Sequence, residues 1–187
     1  MKRIQSNDPC ILTVSGRYVY PLDLNPDDIC IEDVAHALSN LARFSGHTVP
    51  GFYSVAQHSV LVSRLLRETE YEMWGLLHDA TEAYLVDIPR PLKKHPTFGQ
   101  TYRGAERRAM RSVATAFGLS WPEPDVVHWA DNVLLSTERR DLMHPNGVWE
   151  ETRETPMEEQ ITPWSPKRAR QEFLIRYQVL CKRETRG

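Results

Sequence analysis

His78 and Asp79 stand side by side in the otherwise apolar run Trp74-Gly75-Leu76-Leu77-His78-Asp79-Ala80. Burying an imidazole and a carboxylate there costs free energy unless something compensates both, and a divalent cation does. Glu82 follows four residues after His78 and three after Asp79, so on a helix it projects from the same face one turn on. Asp87 comes just past that helix, in Val86-Asp87-Ile88-Pro89-Arg90-Pro91-Leu92-Lys93. Two more ligand types interrupt apolar stretches elsewhere: His58 in Val55-Ala56-Gln57-His58-Ser59-Val60, and Asp131 in Trp129-Ala130-Asp131-Asn132-Val133-Leu134. Two imidazoles and two carboxylates make a mixed nitrogen and oxygen site. It suits Mn, Co, Fe, Zn or Mg, and ligand type does not choose among them. A cation with four protein ligands keeps positions open for a water and a substrate oxygen. Glu82 and Asp87 could then share proton transfer to and from water and leaving group, with Lys93 offsetting negative charge.

Each residue also has a plainer reading. His58 could be a hydrogen-bonded core histidine, and Asp131 could pair with Arg139 or Arg140. Glu82 could be solvated, Asp87 could be a turn residue before Pro89, and Lys93 could simply be exposed. His47, in the loop Gly46-His47-Thr48, could touch a substrate or replace His58 as a ligand. The clustering of four ligand types with two further acids favours the metal reading.

The elements that must position these residues read as helical. Residues 10–20 form a short hairpin around Ser15-Gly16, and Pro26-Asp27-Asp28 opens a helical stretch. Apolar spacing predicts helices over 31–43, 54–68, 70–84, 100–117 and 124–142. Pro89, Pro91 and Pro96 forbid a continuous helix between the third and fourth, and Gly118 is placed to stop the fourth. Residues 143–166, rich in Pro, Glu and Thr, read as a loop or lid. Ser165-Pro166 starts a last helix over 165–181 that buries Phe173, Leu174, Tyr177 and Leu180. The expectation is an all-α single domain over 1–187, its core at about 30–142, with a small β-hairpin at its start.

The bulk numbers agree with that outline. A chain of 187 residues with 41% hydrophobic and 26% charged residues fits one ordinary globular domain. A formal net charge of -2 gives no reason to expect a nucleic-acid polymer as partner. The basic segments at Arg103–Arg111 and Lys167–Arg170 read as solvated helix faces. Cys10, Cys30 and Cys181 are too scattered for a disulfide framework, and no apolar run follows Lys2 and Arg3. A cytoplasmic protein without a signal peptide or membrane span is expected.

The ordered set of a histidine, a His-Asp pair and a distal aspartate resembles the HD-domain phosphohydrolase superfamily. Val55-Ala56-Gln57-His58-Ser59, His78-Asp79-Ala80-Thr81-Glu82 and Asp87-Ile88-Pro89-Arg90-Pro91-Leu92-Lys93 are similar to the bacterial 5′-deoxynucleotidase branch and to phage enzymes that strip triphosphate from dATP. The likeness runs from about residue 30 to about residue 142. It implies an HD-domain helical bundle, with His58, His78, Asp79 and Asp131 as metal ligands and Glu82 and Asp87 as catalytic acids. It further implies that Arg43, fifteen residues before His58, contacts the substrate phosphate. The aromatic after it, commonly Trp in that family, is Phe44, and the glycine often found before the second acid is Val86. The expected reaction is hydrolysis of a deoxynucleotide, as a monophosphate or as a triphosphate. The short step of fifty-two residues from Asp79 to Asp131 leans toward the dATP type. The resemblance also implies a homo-oligomer, for which apolar residues of 100–117 and 165–181 could supply an interface. A phosphodiesterase of cyclic or signalling nucleotides, or a non-catalytic metal-binding module, are the competing readings.

Overall fold

The computed structural model of the chain describes residues 9–147 and 154–184. The stretch holding Lys2 and Arg3, and the middle of the 143–166 loop, lie outside the described residues. The chain is mostly helical with a two-stranded antiparallel hairpin near its start. In the hairpin, β1 (Ile11–Leu12) pairs with β2 (Tyr18–Val19), Ile11 opposite Val19. Its turn is anchored to the first helix, because the Ser15 amide and hydroxyl both donate to the buried Asp33 carboxylate, at 2.9 and 2.7 Å. Pro26–Asp28 is a single 3₁₀ turn capped by the Asn25 side chain, short of the helical stretch expected there.

The first helix, α1 (Ile31–Asn40), ends three residues before the predicted boundary. Arg43 therefore lies off the helix. Its amide donates to the Tyr53 carbonyl at 2.9 Å, and the Val55 amide donates to Leu41 at 3.0 Å. This bridge between Ala42 and Ser54 folds the 43–53 segment back on itself. The reversal needs three consecutive left-handed residues, Phe44, Ser45 and Gly46, with φ of 53, 52 and 80°. The bridge sets Arg43 at the start of α2 (Val55–Leu65), whose first turn is capped by the Ser54 hydroxyl accepting from the Gln57 amide.

Helix α2 is central. Val55 through Val60 are all buried, and the helix packs against α1, α3 (Glu72–Leu77), α7 (Asp125–Leu142) and α8 (Pro166–Glu184). The α2–α3 approach depends on Gly75. A Cβ there would sit 3.0 Å from Ser63 Cα and 3.1 Å from its amide nitrogen, with Leu66 Cδ1 at 2.9 Å. A side chain at Gly75 would push the two helices apart, and with them the two histidines they carry.

The single helix expected over 70–84 is two. After α3 the amides of Ala80, Glu82 and Tyr84 bond three residues back, to Leu77, Asp79 and Thr81, before α4 (Glu82–Leu85). A 3₁₀-type turn eclipses side chains at i and i+3, which stacks Glu82 over Asp79 more closely than an α-helix does. Val86 ends α4 at φ 60°, a conformation costly for a β-branched residue and natural for glycine. The Tyr102 hydroxyl donates to its carbonyl at 2.7 Å.

One short helix, α5 (Arg90–Lys93), fits among the prolines because Pro91 falls in its first turn. Next comes α6 (Phe98–Ala116), and Gly118 at φ 66° follows it as expected. The last helix, α8, runs three residues beyond its predicted end. Phe173 and Leu180 are buried, while Leu174 and Tyr177 are only half covered. Buried Glu72 fastens α8 to α3 by accepting from Arg176 and, at 2.8 Å, from Arg183. Among the described residues, no helix is long and apolar enough to cross a membrane.

Candidate functional site

The two buried imidazoles meet. His58 Nε2 and His78 Nε2 lie 3.2 Å apart. Their other nitrogens are already committed: His78 Nδ1 is 2.9 Å from the Gly75 carbonyl, and His58 Nδ1 is 2.7 Å from Glu138 Oε1. A carbonyl and a carboxylate only accept, so both Nδ1 atoms carry the proton and donate. Both Nε2 lone pairs then point at one spot, where only a proton or a cation between them is favourable. Asp79 Oδ2 faces the same spot, 3.5 Å from His58 Nε2 and 3.3 Å from His78 Nε2. Ligand atoms of His58, His78 and Asp79 all lie within 4.8 Å of one another, close enough to hold a metal ion. Asp131 Oδ1 joins from α7, 3.2 Å from His58 Nε2. Donor type, convergence and hydrogen-bonded outer nitrogens all fit a divalent cation.

The charges point the same way. Burial and Arg43 push the His58 pKa down, but Glu138 and Asp131 outweigh them and the net direction is up. Burial also opposes the charge on His78, yet Asp79 and Asp131 bring it up to about 10. Asp79 is pulled far below the carboxylate range by the imidazoles and Arg43 against its burial. Asp131 falls to about 2 against the same burial, chiefly through His58. The pocket thus favours extra positive charge among its acids, which protons or a metal can supply.

A cleft of about 770 Å³ opens beside the histidines, within the usual size for a small-molecule site. Arg43, Phe44, His47, Asp79, Glu82, Asp87, Lys93 and Asp131 all line it. Glu82 is buried, and its Oε2 has no hydrogen-bond partner among the described residues. Burial raises its pKa well above normal, and the negative charges of Asp79 and Asp87 add to the rise. Asp87 also titrates high, mainly through burial. Lys93 sits between the acids, 2.8 Å from Glu106 and 3.8 Å from Glu82.

Arg43 and Asp131 both find partners inside the site. Arg43 pairs with Glu138 at 3.0 Å and with Asp79 at 3.4 Å. Its guanidinium lies over the Phe44 ring, 5.2 Å from the centroid. Asp131 turns to His58, not to Arg139 or Arg140. His47 lines the cleft but stands outside the close group of ligand atoms.

Glu138 escaped the sequence reading. It is fully buried and grips both His58 and Arg43. Its signal was there: it falls seven residues after Asp131, two turns on along the same face of α7. Burial raises its pKa and the charges of Arg43 and His58 lower it further than that, so it is held as a carboxylate.

No family model matches this sequence. The chain is 40% identical over 175 residues to the uncharacterized protein YfdR of Escherichia coli (strain K12), a match spanning 92% of this chain and 96% of YfdR. The chain belongs to the YfdR family. An uncharacterized protein of Rhodobacter capsulatus is 41% identical over 113 residues, 57% of either chain. The YfdR match takes in nearly the whole of both chains.

Proposed function

We propose that this YfdR-family chain is an HD-type phosphohydrolase acting on a nucleotide phosphate. The observation that carries the reading is the meeting of two Nδ1-protonated imidazoles at 3.2 Å, flanked by Asp79 and Asp131 and opening on a cleft lined with further acids and cations. His58, His78, Asp79 and Asp131 would hold one divalent cation. When bound, that cation supplies Lewis acidity to a phosphate oxygen and acidity to a water.

The remaining steps belong to the chain. Glu82, buried beside Asp79 and with its pKa raised by that burial, suits proton removal from the attacking water. Asp87 on the cleft wall is placed to orient that water or protonate the leaving oxygen. Arg43 and Lys93 offset the phosphate charge, the first by a planar fork and the second as a point charge. Phe44, held in a left-handed turn and lining the cleft, offers an aromatic face for a sugar or base. The cleft volume admits a whole nucleotide, and the reading covers both monophosphate and triphosphate substrates. A homo-oligomer accompanies it as part of the same resemblance.

The test is product analysis. A pool of dNMPs, dNDPs and dNTPs is incubated with the protein and Co²⁺ or Mn²⁺, and products are separated by liquid chromatography. Nucleoside with inorganic phosphate is expected if the monophosphate is the substrate, and nucleoside with tripolyphosphate if the triphosphate is. No release from any of them, with either metal, contradicts the proposal.

A further inference from the structure

The carboxylate of Glu138 has one oxygen on each half of the site. Oε1 accepts from His58 Nδ1 at 2.7 Å, and Oε2 accepts from Arg43 at 3.0 Å. The residue is fully buried, so no solvent competes for either oxygen. It comes from α7, which also supplies Asp131 through a different turn, so the bridge is tied to the same rigid element as a candidate ligand.

We propose that Glu138 is a positioning residue that serves both halves at once. Through Oε1 it fixes the tautomer and ring plane of His58, so that Nε2 presents its lone pair to a cation. Through Oε2 it fixes the guanidinium plane of Arg43, whose Nη1 lies 3.4 Å from Asp79 on the cleft wall, for contact with a tetrahedral dianion. An imidazole and a guanidinium aimed independently would each keep rotational freedom that binding would have to remove. One buried carboxylate removes both. This inference rests on the reading of His58 as a cation ligand and Arg43 as a phosphate contact.

The variant that tests it is Glu138→Gln, nearly the same shape but without the charge. A Gln amide cannot serve two donors: if its oxygen faces His58, its NH₂ faces the Arg43 donors, and the reverse orientation forces His58 into the other tautomer. Three measurements apply to wild type and E138Q. Calorimetric titration with Zn²⁺ is expected to show affinity reduced by roughly 10–100-fold in E138Q, the range for lost outer partners of metal-binding histidines. Titration of the Zn²⁺-loaded proteins with sulfate, a soluble tetrahedral dianion, is expected to show several-fold weaker binding. The His58 Nδ1–H proton, far downfield in loaded wild type because its acceptor is charged, is expected to move upfield. The control Arg43→Lys should weaken sulfate while leaving Zn²⁺ affinity within a few-fold.

A residue that merely fills space would lower thermal stability without moving the proton signal. Folded E138Q with unchanged Zn²⁺ affinity, or with only one of the two affinities reduced, overturns the two-sided role. If E138Q does not fold, Glu138→Asp carries the test. It keeps the charge on a shorter arm, and it must bind both probes more weakly than wild type for the inference to stand. Wild type that binds no Zn²⁺ overturns the cation site itself, a result distinct from wild type that binds while E138Q is unchanged.

Discussion

His78→Ala is expected to lower Zn²⁺ affinity by more than about 100-fold, beyond the loss typical of outer partners, and to abolish phosphate release. Removing His78 deletes one of two imidazoles that share a point 3.2 Å wide, and the remaining donors, His58, Asp79 and Asp131, do not enclose a cation on that side. Calorimetry on wild type and H78A checks the affinity, and a phosphate assay checks the activity. The effect has a pH signature. His78 titrates near 10 in the folded chain, against an ordinary value of 6.5, so a cation must displace a proton and its affinity rises with pH. In EDTA the sign reverses for stability. A raised histidine pKa stabilises the fold fully below about 6.5, and that contribution is lost as pH rises toward 10. Thermal melts in EDTA should therefore show wild type losing its advantage over H78A across that window. A pH-independent Zn²⁺ affinity, or H78A binding as tightly as wild type, contradicts this reading of the imidazole pair.

Glu82→Gln is expected to cut kcat by about 10²–10⁴, the usual worth of a positioned general base, while Zn²⁺ affinity stays within a few-fold. The two variants thus separate holding the ion from moving the proton. Glu82 follows Asp79 by one tight turn but is not among the three ligand groups that meet within 4.8 Å, so its loss leaves the cation's donors in place. Burial and the neighbouring acids raise its pKa, and a base must be deprotonated to act. The kcat profile of wild type should accordingly rise with pH along a limb lying above the ordinary glutamate value of 4.5, and E82Q should lack that limb. E82Q that retains full kcat, or loses Zn²⁺ binding along with it, removes Glu82 from the role of base.

What was legible in the sequence was the conflict between residue type and surroundings. His58, His78 and Asp79 break apolar runs, and the free-energy cost of burying them is visible before any fold is known. Helices α2, α6 and α7 were equally readable, because eleven or more residues of apolar spacing leave little choice of period. The failures share a physical origin in bonds that spacing does not encode. Four residues, His78 to Thr81, are too few to distinguish bonding three back from four back. Arg43 leaves α1 because its amide finds the Tyr53 carbonyl ten residues ahead, a pairing that apolar spacing does not show. Glu138 sits in Ser136-Thr137-Glu138-Arg139-Arg140, which looks like a solvated helix end, yet the fold closes over it completely.

The most direct measurement is anomalous diffraction from a crystal grown with Zn²⁺, with data collected on both sides of the zinc absorption edge. A single strong peak about 2.0–2.2 Å from His58 Nε2, His78 Nε2, Asp79 and Asp131 is the expected result. A zinc-saturated crystal with no peak between the two imidazoles, or with Asp131 turned away from one that is there, would contradict the account.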